Sequence, residues 1–247
     1  MYRGGAAIPD AASFAAALAQ SGCAYVFFTN CAERTPAELA AKLGNMGINV
    51  PAARIVNAGM AAASYVRAEW PAAQMVYAVG SASFKQMLRE SYGFTVLEDA
   101  AETADVVIVS HSSKITYNEL MLACRHVLRG ARLLAANGDA TIPTPEGEVP
   151  HTGASVAFIE CATGATAVTA GKPEAYAFRF MAGFLGAAPA DIRVVGDRLD
   201  TDMAFAKRNG AVGYLMLTGC TSASQAEAAR GQYDEAFASL TSLVACV

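Results

Sequence analysis

Asp191-Ile192-Arg193-Val194-Val195-Gly196-Asp197-Arg198-Leu199-Asp200-Thr201-Asp202 reads as a strand that ends in Gly-Asp and feeds a helix opened by an acidic cluster. The β-branched run predicts the strand, and the helix is expected to stop at Gly210. In an open α/β sheet, ligands bind beyond the carboxyl ends of the strands. Asp197 and Asp202, five residues apart, fall at such an end. Carboxylates there suit a hard cation such as Mg²⁺, which takes one or two of them and shares the rest with water and phosphate. A plainer reading is also open, in which Asp200 caps the helix and Asp202 complements its dipole.

Outward from this stretch, strand and helix patterns alternate on both sides, the signature of sheets covered by helices. Just upstream, a strand at 167–169 leads into Gly171-Lys172-Pro173 and a helix from Pro173 to about Leu185. Lys172 reads either as a phosphate ligand or as a solvated loop lysine. Downstream come a strand at 213–217 and an Ala-rich helix near 225–229. Further back, strands are predicted at 75–79, 105–109 and 132–136, with helices at 81–92 and 116–129. Thr116-Tyr117-Asn118-Glu119 is a capping box for the second of these helices. Residues 137–152 hold three prolines and two glycines and predict a long irregular loop. Loops of that length are functional or disordered.

Nearest the N-terminus, Asp10 is expected to cap a helix carrying Phe14 and Leu18. The aromatic and β-branched run Tyr25-Val26-Phe27-Phe28 then predicts a strand that ends in Thr29-Asn30. A hydroxyl and an amide there can hold an oxyanion with the backbone amides of the next helix. An ordinary turn favours the same residues. Thr35-Pro36-Ala37-Glu38 is a further capping box, followed by a short strand near 55–56 and a helix at 59–70.

Composition narrows the function classes. With 54% hydrophobic and 16% charged residues, the 247-residue chain can bury a sizeable core. A net charge of −4 gives no basic footprint for nucleic acid. No apolar run is long enough for a membrane span, and no secretory signal pattern opens the chain. The six cysteines never form C-x-x-C and the three histidines never pair at helical spacing, which argues against a zinc or redox site. A reducing, cytoplasmic setting is the expectation. The absence of G-x-G-x-x-G and of the P-loop pattern argues against a nucleotide-binding Rossmann protein.

Taken in order, Thr29-Asn30, the Pro/Gly-rich segment 137–152, Gly171-Lys172-Pro173 and Gly196-Asp197 through Asp202 resemble the haloacid-dehalogenase (HAD) superfamily, subclass IIA, the NagD and 4-nitrophenylphosphatase type. The resemblance covers essentially the whole chain. It implies an α/β fold: a HAD-like Rossmannoid parallel-sheet core at 1–72 and 168–247, with an α/β cap domain inserted at 73–167. It also implies Mg²⁺-dependent hydrolysis of a small phosphorylated metabolite through an aspartyl-phosphate. By similarity, Thr29 and Asn30 hold the transferring phosphoryl group, Lys172 neutralises it, Asp197 binds Mg²⁺ and Asp202 supports that site. Asn137 and Asp139 become candidates for substrate contact, and His151 and Arg198 could face the cleft or the surface. Pairing of two chains through the cap is a further implication.

One part of the pattern departs from the family. Motif one reads like D-x-D-G-T-x-Y-R-G at the end of the first strand, and Met1-Tyr2-Arg3-Gly4 matches only its tail. The nucleophilic Asp, the acid–base Asp and their strand are therefore expected upstream of Met1, so the first core strand is expected to be absent from residues 1–247. Such a central strand buries about five apolar side chains at roughly 1.5–3 kcal/mol each, comparable with the whole stability of a domain, about 5–15 kcal/mol. Two readings of function follow: a phosphatase that is inactive as residues 1–247 alone, or a non-catalytic metabolite-binding or interaction protein derived from that fold.

Overall fold

The computed structural model describes residues 1–3, 5–144 and 147–244. The chain forms two compact units, Met1–Phe27 with Ala37–Ile55 and Lys172–Val247, and Phe28–Pro36 with Val56–Gly171.

The second unit is built on a five-stranded parallel sheet. Its spatial order is Val168–Thr169, Arg132–Ala135, Val106–Val109, Met75–Val79, Thr95–Leu97. Val106-Val107-Ile108-Val109 are all fully buried, as an unbroken apolar run must be when helices cover both faces of a sheet. Successive side chains point to opposite faces. Val76, Ala78, Val106, Ile108 and Leu134 therefore meet the helices Ala58–Glu69 and Ala82–Glu90, through Ala62, Val66, Phe84 and Leu88. Tyr77, Val79, Val107, Val109 and Leu133 meet Tyr117–Leu128 and Thr152–Thr163, through Ala123, Val127, Val156 and Ile159. The chain enters at Met75–Val79, goes to one side for Thr95–Leu97, then crosses to the other for Val106–Val109. The carboxyl ends of Met75–Val79 and Val106–Val109 thus flank the switch point at which such sheets bind ligands.

This unit is wider than the insertion expected at 73–167. Ala58–Glu69 contributes a small-residue face to the same core, and Val168–Thr169 adds the outer strand. The loop expected at 137–152 is largely a hairpin: Thr141–Thr144 pairs antiparallel with Gly147–Pro150, with Ile142 opposite Val149. Both strands are edges, where a proline's missing N–H costs no ladder bond. Pro145 and Glu146, between those strands, lie outside the described residues.

The first unit holds a parallel sheet of Arg193–Gly196, Val212–Met216 and Glu235–Phe237. Phe14, Leu39, Leu43, Ile48, Ile55, Met216, Phe237 and Leu243 form its main core. Phe27–Thr29 and Ile55–Asn57 make a separate two-stranded sheet. Asp10 does not cap the first helix, because its backbone is left-handed at φ 64 instead of extended. Its carboxylate accepts a 2.6 Å hydrogen bond from Thr241 Oγ1 instead. The capping box at Thr116 and Glu119 forms with both of its hydrogen bonds. Among the described residues no helix is long and apolar enough to cross a membrane.

Ile108 lies at the centre of the five-stranded sheet with no exposed surface. Ile108→Ala should destabilise this unit by about 2–5 kcal/mol, measured by chemical denaturation; a loss below about 1 kcal/mol would show that the sheet is not packed on both faces.

Candidate active site

In the first unit the acidic stretch folds as its glycines dictate. Arg193–Gly196 is a strand, and Asp197 follows it directly. The next residues form a wide helical turn over Leu199–Met203 that runs into Ala204–Arg208. A Cβ on Gly196 would lie 2.3 Å from the Asp202 carboxyl group, and one on Gly219 would lie 1.9 Å from Asp197 Oδ2. Only glycine lets the backbone approach both carboxylates so closely. Asp197 Oδ2 accepts from Cys220 N at 2.7 Å, and its backbone oxygen accepts from Thr221 Oγ1 at 2.6 Å. Asp202 Oδ1 accepts from Lys172 Nζ at 2.7 Å, with both side chains nearly buried. Asp202 Oδ2 also accepts from Arg198 N at 3.3 Å. Lys172 and Asp202 are therefore brought together, and Asp197 stands at the strand end as its sequence position requires.

Asp200 does not cap a helix. It pairs with Arg198 at 2.7 Å, and that guanidinium holds its carboxyl below the usual range. Arg198 is thus engaged with Asp200 and with Thr201 Oγ1. Lys172 joins Pro173 through a cis peptide bond, and the following helix starts at Ala175, two residues later than the sequence predicts.

In the second unit, Thr29 closes its strand and its Oγ1 accepts from Cys31 N at 3.1 Å. Asn30 is almost buried, and its Nδ2 donates to both carboxylate oxygens of Asp139, at 3.3 and 3.2 Å. Asn137, with no exposed surface, donates from Nδ2 to Asn30 O at 2.8 Å and accepts from Asp139 N at 3.1 Å. Asn137 and Asp139 therefore orient Asn30; Asn137 in particular stands beneath the surface. Gly171 closes the group, since a Cβ there would come 2.4 Å from Ala136 O and 3.0 Å from Asn30 Oδ1.

Residues that the sequence reading passed over also gather at the carboxyl ends of this unit's strands. His111, two residues beyond Val109, stacks on His151 with ring centroids 4.3 Å apart and 23° between planes. His151 is 3% exposed, so it is not a surface residue. Burial, then the neighbouring His111, pushes its pKa down to about 4. Burial also lowers His111, against the pull of Glu33. The one available signal was position: Ser110-His111 directly follows the most apolar strand of the chain.

The deciding observation is the likeness of the whole chain to known proteins. Residues 1–95 match the haloacid dehalogenase-like hydrolase family, and residues 169–243 a HAD-hydrolase-like family. A 5′-nucleotidase of Bacillus subtilis is 32% identical over 90% of this chain and 84% of its own length.

The chain is a haloacid dehalogenase-like hydrolase.

This hydrolase is also 32% identical to an acid sugar phosphatase of Staphylococcus saprophyticus, over 82% of this chain and 77% of the relative. Its fold superposes on a p-nitrophenyl phosphatase from Archaeoglobus fulgidus with a TM-score of 0.87 and 30% identity, covering 97% and 92% of the two chains. A glycerol phosphate phosphatase from Mycobacterium tuberculosis, solved with calcium, gives a TM-score of 0.88 at 28% identity, covering 98% and 71%. These likenesses place the hydrolase in the NagD and 4-nitrophenylphosphatase branch expected from its motifs.

Two outcomes follow from the site geometry. Gly219→Ala should force the Asp197 carboxyl out of its bond to Cys220 N and cost about 1–3 kcal/mol, read by thermal unfolding; unchanged stability would mean that the two segments are not in contact. The His151 pair makes stability pH-dependent. Between its folded value of about 4 and its ordinary 6.5, the unfolded chain binds a proton that the folded chain does not. Stability is then complete above pH 6.5 and falls as pH drops toward 4, by at most on the order of 3 kcal/mol. His111 and Thr152 touch the ring, and Glu33 lies beside His111. His151→Asn should flatten the slope in that window; an unchanged slope would show that His151 is not held neutral.

Proposed function

We propose that this hydrolase is a Mg²⁺-dependent phosphomonoesterase acting on a small phosphorylated metabolite. The observation that carries the reading is the pairing of Lys172 with Asp202 beside the Gly196-Asp197 strand end. In this reading Thr29 and Asn30 hold the phosphoryl group, Lys172 neutralises its charge, and Asn137 and Asp139 keep Asn30 in place. The relatives' names, a 5′-nucleotidase, an acid sugar phosphatase and a glycerol phosphate phosphatase, support the reaction class without selecting a substrate.

The oxygen donors of Asp197 and Asp202 fit Mg²⁺, which accepts one or two carboxylates and leaves its other positions to water and phosphate. When bound, the ion would neutralise charge on the transferring group, since phosphoryl transfer depends mainly on positioning and electrostatics. This chain's residues supply the rest: the amide of Asn30 orients, and the ammonium of Lys172 offsets the incoming negative charge. Among residues 1–247 we assign no nucleophile.

The alternative is a phosphate-binding or interaction protein without turnover, and phosphate release from a panel of phosphomonoesters separates the two. The scattered free cysteines support a cytoplasmic setting. Pairing of two chains through the cap is proposed on the family resemblance alone.

Residues 1–247 alone should bind Mg²⁺ weakly or undetectably by calorimetry and release no phosphate from phosphomonoesters above background. Loss of a covalent nucleophile lowers turnover by on the order of 10⁶ in subtilisin. A chain extended upstream by a strand ending in D-x-D-G-T should gain both thermal stability and Mg²⁺-dependent activity, and Asp197→Ala in it should abolish turnover while the fold survives. Equal hydrolysis by the short and extended chains would place the nucleophile elsewhere and overturn the mechanism.

A further inference from the structure

The stretch from Asn30 to Arg34, which follows Thr29 in the second unit, is held from behind by two side chains outside the network of Asn30, Asn137 and Asp139. Asn57 closes the strand Ile55–Asn57 and caps the helix Ala58–Glu69, and Ser81 caps the helix Ala82–Glu90. Each makes a second hydrogen bond. Asn57 Nδ2 donates to Arg34 O at 2.9 Å, and Ser81 Oγ donates to Glu33 O at 2.5 Å. With Asn137 Nδ2 on Asn30 O, side chains from three different elements hold the carbonyls of Asn30, Glu33 and Arg34.

The donor and acceptor roles are fixed. Asn57 Oδ1 accepts from Met60 N at 2.9 Å, so its amide nitrogen is the atom turned to Arg34. Ser81 Oγ accepts from Phe84 N at 3.1 Å and has a single proton, which goes to Glu33 O. A helix cap needs only the acceptor. Asparagine and serine supply a donor as well, and both donors are spent on the same loop. Asn57 is 1% exposed, so a loop that moved away would leave its N–H buried and unpaired.

Packing fixes the stretch between those bonds. Ala32 is buried in the cluster that contains Ala58, Ala62 and Phe84. A Cβ on Gly59 would lie 3.0 Å from both Ala32 Cβ and Phe84 Cε2, so Ala32 rests against a glycine of the helix that Asn57 caps. The stretch is therefore tied at Asn30, seated at Ala32 and tied again at Glu33 and Arg34. A loop already ordered in this way does not have to be ordered by the anion it binds, and that ordering would otherwise be subtracted from affinity.

We propose that Asn57 and Ser81 are positioning residues for the phosphoryl group, acting through Arg34 O and Glu33 O to keep Thr29 and Asn30 in binding geometry. The proposal rests on the phosphomonoesterase reading above, in which Thr29 and Asn30 hold that group. Each residue does two things at once: it caps a helix of the second unit, and it ties the loop to that helix.

The test is equilibrium binding of inorganic phosphate to the full chain by calorimetry. Asn57→Ser keeps a capping acceptor but is too short to reach Arg34 O, and Ser81→Gly removes the donor with a residue that still caps a helix. Each should lower phosphate affinity by about 3–10-fold. Ser81→Thr, which keeps the hydroxyl, should stay within about twofold of the unaltered chain. Thr116→Gly weakens a cap elsewhere in the same unit and should leave affinity unchanged. Thermal unfolding checks that each variant is folded, and if Asn57→Ser or Ser81→Gly is not, the other alone decides. Unchanged affinity in a folded variant overturns the role of that residue, and an equal loss in Thr116→Gly overturns the proposal; both leave the phosphate reading standing. No phosphate binding to the unaltered chain overturns the phosphate reading, and the positioning role with it.

Discussion

The close approach of backbone at Gly171 is the constraint on which the candidate site depends. With a Cβ position only 2.4 Å from Ala136 O and 3.0 Å from Asn30 Oδ1, no side chain fits there. That contact lets the outer strand Val168–Thr169 end against the amide network of Asn30, Asn137 and Asp139. In the first unit, Gly196 and Gly219 likewise admit the close approach of backbone to the Asp202 and Asp197 carboxylates.

The charges at the site are arranged in unequal pairs. Asp202 is compensated by a nearly buried Lys172, whereas Asp197 is held by a backbone N–H and leaves Oδ1 without a hydrogen bond among the described residues. Removing Lys172 would leave Asp202 buried and uncompensated, the costlier half of breaking a buried pair. Arg198 spends its charge on Asp200 close by. The acidic cluster is therefore not one electrostatic unit: Asp197 and Asp202 face the strand end, and Asp200 belongs to the surface.

The Asp-rich strand end, Gly171-Lys172, Thr29-Asn30 and the alternation of strands with helices were all legible in residue order. Each is a local pattern with a local physical cause: a β-branched run ending in glycine, or a capping box such as Thr116 with Glu119, which forms as written. Other features were not legible. The hairpin at 141–150 was hidden by its prolines, which read as breakers because sequence does not show that both strands are edges. Asp10 looked like a cap until a distant Thr241 claimed its carboxylate. His111 and His151 lie forty residues apart and carry no shared motif, so their stacking depends wholly on the order of strands in the sheet.

Sequence by itself determined the α/β class, the family and the chemical identity of the charged groups, because periodicity, capping and motif order act over a few residues. Tertiary structure alone decided which groups meet: that Asn137 and Asp139 serve Asn30, that Lys172 pairs with Asp202, and that two histidines share a buried stack. The physical reason is range. Hydrogen bonds and ion pairs act over about 3 Å, and neighbours at that distance are chosen by strand order and helix packing instead of by position along the chain.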